Sequence, residues 1–213
     1  MNNRSKILQV IGAGGHAKVV IQTARAAGFE PIAVFDDDIS HQGTMLCGVP
    51  VKGKIADIHK NGGKSVIAIG NNVLRKKLAE SLGCDWATII HPTAVIDQTV
   101  QIGPGTVIFA GSVIQVDSRI GNHVIVNTSA SIDHDCTIDN YSHIAPGCRL
   151  CGKVHVGEGT LLGVGTCVTP LLSIGSWSVI GAGATVVAEI SDQVVAVGSP
   201  AKIIRKINDE QNQ

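Results

Sequence analysis

The sequence predicts a chain of two unlike parts, a small α/β domain followed by a parallel β-helix of six-residue repeats. Three observations carry that reading. From Ile90 to Val186 an aliphatic residue recurs at every sixth position without exception. The segment before Ile90 lacks this rhythm and alternates strand-like with helix-like stretches. Aromatics make up only 3% of the chain while Gly numbers 25, a balance that suits short strands with tight corners better than a helical bundle.

In chain order, Lys6–Ile11 reads as a buried strand, Ala17–Ala27 as a helix and Ile32–Phe35 as a second strand. Val66–Ile69 is a third strand and Asn72–Leu82 a second helix. Alternating strands and helices imply a small parallel sheet. Between the first strand and helix lies Gly12-Ala13-Gly14-Gly15-His16-Ala17. Glycines there let the backbone approach a pyrophosphate, and a helix N-terminus favours its charge. Asp36 stands where the acid of a dinucleotide fingerprint would meet a ribose. The domain is only half of such a Rossmann-like fold, so the loop suits a nucleotide-sugar, which has the same pyrophosphate and ribose, as well as it suits NAD. A tight strand-to-helix turn that binds nothing is the alternative. No Pro/Gly-rich linker follows; the boundary falls near Trp86–Pro92, giving domains 1–88 and 89–213.

The repeat has 17 aliphatic positions in register, from Ile90 to Val186. Two residues before each, 13 of the 17 are Ala, Ser, Thr or Cys, three are Val and one is Leu172. In an extended segment residues two apart face the same side, so both registers point inward. Glycine or a short polar residue often follows the aliphatic position (Gly103, Gly121, Asn127, Asp133, Gly163), where a corner needs it. Three sides close a triangular coil, and 17 hexads give between five and six coils. The tail after Gly198-Ser199-Pro200-Ala201-Lys202 reads as a turn and a capping helix.

Lys plus Arg and Asp plus Glu are both 17, which points away from nucleic acid and acidic membranes as partners. The N-terminus lacks a secretory pattern and no stretch approaches a membrane span, so a cytoplasmic protein is expected. Six cysteines in a chain this long do not read as a disulfide framework. Cys148 and Cys151 form one CxxC with no second pair at zinc-site spacing, so no metal is expected.

Three segments, GAGGH (12–16), IAIGNNVLRKK (67–77) and DHDCTIDNYSHIAPG (133–147), together resemble the sialic-acid O-acetyltransferase-like sugar acyltransferases. Within them the chain is most similar to the N-acetyltransferases acting on UDP-4-amino-4,6-dideoxy sugars of the bacillosamine type. The resemblance spans essentially the whole chain. It implies a left-handed β-helix, a homotrimer, acetyl-CoA as cosubstrate and a nucleotide-linked amino sugar as acceptor. By motif it makes His134 the general base, with Asp135 orienting it. His143, Val164 and Ala182 would contact acetyl-CoA, and Gly14, Gly15, His16, Asp36, Asp37 and Gly70 would hold the nucleotide-sugar. Relatives often carry Glu where this chain has Asp135, which puts that residue's role in question.

The chemistry is sensible on its own terms. An amine attacking a thioester must lose a proton, and an imidazole, with an ordinary pKa of about 6.5, can take it. A neighbouring carboxylate keeps the useful tautomer. Cys136, at an inward small position, reads as core rather than nucleophile. His123 and His155 read as solvated turns, and His91 as part of the domain junction. Two other readings stand beside this one within the β-helix class: O-acetylation of a sialic acid, and a non-catalytic nucleotide-sugar-binding scaffold. A γ-carbonic-anhydrase-type zinc site, which has two histidines five apart, does not fit separations of 11, 9 and 12 between His123, His134, His143 and His155.

Overall fold

A computed structural model describes residues 6–58 and 63–207. Its N-terminal part runs β1 (Ile7–Ile11), α1 (Gly15–Ala26), β2 (Glu30–Phe35), β3 (Met45–Leu46), β4 (Val49–Gly53), β5 (Lys64–Ile67) and α2 (Asn72–Leu82). These strands form one sheet in the order β3-β4-β2-β1-β5. It is parallel except where β3 pairs antiparallel with β4. Leu8, Val10 and Ile11 on β1, an inner strand, are fully buried, as a strand covered on both faces requires. α2 is capped by Asn71, whose side chain accepts from Leu74 N–H at 2.9 Å, and ends at Gly83 in the left-handed region. α1 begins at Gly15, two residues before the expected start, and β3 and β4 are additional to the expected strands.

Seventeen two-residue strands follow, from β6 (Ile89–Ile90) to β22 (Thr185–Val186), one at each predicted aliphatic position. They stack in register as three parallel sheets, the walls of a triangular coil. One wall contains β6, β9 (Val107–Ile108), β12 (Ile125–Val126) and β15 (His143–Ile144). A second contains β13 (Ser131–Ile132) and β16 (Arg149–Leu150), and the third β14 (Thr137–Ile138) and β17 (His155–Val156). The inward aliphatics form one continuous core from Ile108 to Val186. Each contributes about 1.5–3 kcal/mol of burial, much of it offset by backbone ordering.

The small inward residues do more than fit. Thr106 Oγ1 donates to Gly121 O at 2.7 Å, Ser118 Oγ to Asp133 O at 2.7 Å, and Ser142 Oγ to Gly157 O at 2.8 Å. Each satisfies a corner carbonyl that the two-residue strands leave without a ladder partner. The corners themselves split the work that glycine composition suggested. A Cβ on Gly121 or Gly163, directly after the aliphatic position, would come within 2.7 or 2.6 Å of main chain in the next coil. The left-handed residue lies two positions later, and is often not glycine: Asp117, His123, Ser129, Asp135 and Tyr141 have φ between 53° and 61°.

The first wall carries the N-terminal domain. Its outward residues there, Ile89, Val107 and Ile125, are apolar and pack with Phe109 against Ala17, Val20 and Ile21 of α1. Among the described residues the tail forms a strand and not the expected capping helix. β23 (Val194–Val197) adds to the first wall, and β24 (Lys202–Lys206) pairs with it antiparallel. An open sheet edge offers Lys202–Lys206 a ladder of hydrogen bonds that a lone helical turn would not have.

Candidate functional site

Two groups of predicted residues emerge, and one chain does not bring them together. The first surrounds the junction between the N-terminal domain and the first wall. α1 starts with Gly14 as N-cap and no side chain capping it; Ala17 N–H turns back to Gly14 O at 3.1 Å, and the Gly15 and His16 N–H groups at the helix start are those suited to an anion. Gly14 and Gly15 have open space where a Cβ would stand. Asp36 Oδ2 accepts from Ala13 N–H at 2.5 Å and Oδ1 from Asp38 N–H at 2.8 Å, so this carboxylate shapes the glycine loop from behind. Asp37 Oδ1 accepts from Ile55 N–H at 2.9 Å.

His16 lies between the two domains, its ring centroid 5.6 Å from Phe109 and 6.2 Å from His143. Its Nε2 is buried without a hydrogen-bond partner among the described residues. His143 is held at Nε2. Asn127 Oδ1 accepts from Thr128 N–H at 2.8 Å, which turns the Asn127 amide N–H toward His143 Nε2 at 3.1 Å. Nε2 is therefore an acceptor toward Asn127. Burial first, and the Arg75 charge second, lower the His143 imidazole to about 3 and that of His16 to about 4. Both are neutral at physiological pH.

Val164 and Ala182 belong beside this group. They occupy the corner that follows the first wall in successive coils, linked by Gly183 N–H donating to Val164 O at 2.8 Å, and both are exposed. His143 stands on the wall that leads into that corner.

His134 and Asp135 form the second group. They sit on the corner between β13 and β14, which join the second and third walls. In a triangular coil that corner lies opposite the first wall, away from His143 and the N-terminal domain of the same chain. His134 Nδ1 is 2.7 Å from Asp135 Oδ2, and both side chains are about half exposed. The pairing fixes Nδ1–H toward the acid and presents Nε2 to solvent. Asp135 has φ +59°, a conformation Asp tolerates better than most residues, and from it the short side chain reaches His134 directly. Gly152, stacked on His134 in the next coil, makes room for the ring: a Cβ there would come within 2.5 Å of it.

Sequence reasoning missed several residues at the junction. His123, read as a solvated turn, is 4% exposed, edge-on to Trp86 at 4.8 Å and stacked on Tyr141 at 5.6 Å. The reason is that Trp86, contributed by the approach from the N-terminal domain, covers the corner. Burial, then Arg75, lowers its imidazole to about 4. His155 is exposed as expected but pairs with Asp139, Nε2 to Oδ2 at 2.8 Å. Arg75 is 1% exposed and its place on a buried helix face, four before buried Ala79, was a readable signal. Cys136 lies inside the coil with Sγ 3.2 Å from Cys151 O, and burial pushes its thiol up. Among the described residues no three His, Cys, Asp or Glu side chains converge as metal ligands, and no helix is long and apolar enough to cross a membrane.

A hexapeptide β-helix carrying a corner histidine–acid pair, joined on another wall to a small α/β domain with an uncapped helix N-terminus, is the arrangement that the resemblance to sugar acyltransferases implied. Residues 7–82 match the PglD N-terminal domain family. Perosamine N-acetyltransferase from Caulobacter crescentus, solved with CoA and GDP-perosamine, is 40% identical with TM-score 0.88, covering 93% of this chain and 97% of that one. The acetyltransferase domain of PglB from Neisseria gonorrhoeae, solved with acetyl coenzyme A, is 37% identical with TM-score 0.88, covering 94% and 100%. UDP-N-acetylbacillosamine N-acetyltransferase of Bacillus subtilis is 40% identical over 117 residues, about half of each chain (49% and 52%). The chain belongs to the nucleotide-sugar N-acetyltransferases of the left-handed β-helix fold.

Proposed function

We propose that the protein transfers acetyl from acetyl-CoA to the 4-amino group of a nucleotide-linked 4-amino-4,6-dideoxy-hexose, in the cytoplasm, for surface-glycan precursor synthesis. The observation that carries this is the His134–Asp135 pair, held at 2.7 Å with Nε2 free on an exposed corner. The CoA and GDP-perosamine bound to the Caulobacter relative support the choice of donor and acceptor.

In this reading the helix N-terminus at Gly14–His16, with Asp36 and Asp37 behind it, holds the nucleotide diphosphate. The amine nitrogen attacks the thioester carbonyl carbon, and His134 Nε2 takes the proton it sheds. Asp135 steadies the imidazolium that forms. Backbone N–H donors at the corner meet the oxyanion. As the C–S bond breaks, the proton passes to the leaving sulfur and CoA departs as the free thiol. No covalent enzyme intermediate is needed, and no metal takes part.

His134 points away from its own chain's junction, so the reading requires a second copy. His134 of one copy would face His143, Val164, Ala182 and the nucleotide-sugar of the next, and a homotrimer closes that arrangement. A fully active monomer in analytical ultracentrifugation would contradict this part.

The direct test is thiol release from acetyl-CoA with UDP-, dTDP- and GDP-linked 4-amino-6-deoxy sugars, CMP-sialic acid and free sialic acid. Release with an amino sugar is expected and names the nucleotide. Release with sialic acid alone would replace N- by O-acetylation, and no release with any acceptor would leave a binding scaffold.

A further inference from the structure

Among the described residues, the most enclosed charge lies outside the residues assigned to chemistry. Arg75, on α2, is 1% exposed at the junction. A buried guanidinium ordinarily has a carboxylate beside it. Here every hydrogen-bond partner is a carbonyl or amide oxygen. Nε donates to His123 O at 2.8 Å, and Nη1 to Ile69 O at 3.0 Å and Gly70 O at 3.3 Å. Nη2 donates to Asn72 Oδ1 at 2.7 Å, Tyr141 O at 2.6 Å and Ser142 O at 3.5 Å.

These acceptors divide into two sets. Ile69 and Gly70 are the turn after β5, in the N-terminal domain. His123, Tyr141 and Ser142 are coil residues, the last directly before His143. The rigid planar fork of arginine can meet both sets at fixed angles, which the single ammonium of lysine cannot. Asn72 joins the same lock, its Nδ2 donating to Gly159 O at 2.9 Å in the following coil.

We propose that Arg75 is a positioning residue for the acyl transfer, fixing the Ile69–Gly70 turn against the coil segment that carries His143. It thereby sets where a nucleotide-sugar held by the N-terminal domain lies relative to the acetyl donor. The proposal rests on the reading of Gly70 as part of the nucleotide-sugar site. A misplacement at this distance from the reacting atoms costs rate through orientation rather than through a lost chemical group.

The test uses the full chain with Arg75→Lys and with Asn72→Ala, which removes one acceptor of the lock while Asn71 still caps α2. For each, thermal unfolding, kcat, and KM for both substrates are measured, together with calorimetric binding of the nucleotide-sugar without acetyl-CoA. Arg75→Lys is expected to raise KM for the amino sugar about tenfold and to lower kcat, with KM for acetyl-CoA within about twofold of native. Asn72→Ala should move the same constants in the same direction by less. A folded Arg75→Lys with all constants at native values overturns the proposal, as does Asn72→Ala with unchanged constants if the lysine variant fails to fold. Equal losses toward both substrates would make the lock a matter of stability alone and also overturn it. Calorimetry keeps the underlying reading separate: a native chain that binds no nucleotide-sugar refutes the site itself.

Discussion

Histidines occur in two opposite settings in this molecule. His134 is about half exposed on a coil corner, with a carboxylate on Nδ1 and nothing on Nε2. His16, His123 and His143 are enclosed at the domain junction beside a buried arginine and are kept neutral by burial and its charge. The difference separates an imidazole with one nitrogen open to solvent, as the proposed base needs, from imidazoles enclosed among ring and backbone neighbours. A protonated imidazole at the junction would add a second cation next to Arg75 in a poorly solvated space. At the corner, the His134 and Asp135 side chains are both about half exposed.

The comparison breaks most sharply at His134. His134→Ala should lower kcat by about 10²–10⁴, or about 3–5 kcal/mol of transition-state stabilisation, with affinity for CoA nearly unchanged. Steady-state kinetics beside CoA binding read both quantities. Activity equal to the native enzyme would remove His134 from the mechanism.

The junction predicts a different signature, in stability and not in rate. His16, His123 and His143 have folded pKa values of about 4, 4 and 3, below the unfolded value of 6.5. Below pH 6.5 the unfolded chain therefore binds more protons, and stability falls with pH until the folded groups titrate near 4. For His123, 4% exposed, the loss between pH 7 and 4 is on the order of 3 kcal/mol. Unfolding temperature measured from pH 7 to 4 should drop, and His123→Phe, which keeps an aromatic ring between Trp86 and Tyr141, should flatten the slope. A native profile that is level over this range would show that the junction histidines do not resist protonation.

What the sequence could and could not announce follows the same division. The coil repeats one local rule 17 times, and every two-residue strand falls where the aliphatic register places it. The glycine loop and both N-terminal helices were legible for the same reason, each having a local pattern. β4 was not: Val49-Pro50-Val51 is short, interrupted by proline, and pairs with distant Val34. β24 was not, because Lys-Ile-Ile-Arg-Lys has no period of two and takes up a strand only when an open edge is beside it. His134 stood out through its Asp-His-Asp-Cys context. His123 owes its burial to Trp86, 37 positions earlier, and the Asn127 lock on His143 depends on an amide orientation set by Thr128. The His134–Asp135 corner is local in sequence, whereas the junction is assembled from segments far apart.

Gly152 offers a finer test of the corner. Its φ lies outside the left-handed region, so alanine suits the backbone, but the added Cβ would come within 2.5 Å of the His134 ring. The ring must swing away from Asp135 or from the acceptor amine. Gly152→Ala should lower kcat about tenfold through misorientation, with little change in unfolding temperature. Native turnover in a folded variant would mean that the orientation of His134 is not what limits the reaction.

The smallest effect is expected at the second histidine–acid pair. His155 and Asp139 are 2.8 Å apart, comparable in distance and exposure to His134 and Asp135. The pairing is reversed at the ring, however: His155 gives Nε2 to the acid and keeps Nδ1, the nitrogen beside its own main chain. Distance and charge alone would rank the two pairs as equals; presentation of the free nitrogen ranks them apart. His155→Ala should therefore leave kcat and both KM values within about twofold of native and cost less than about 1 kcal/mol, as for an exposed ion pair. A large loss of kcat there, with the fold intact, would transfer the role of base from the corner to the third wall.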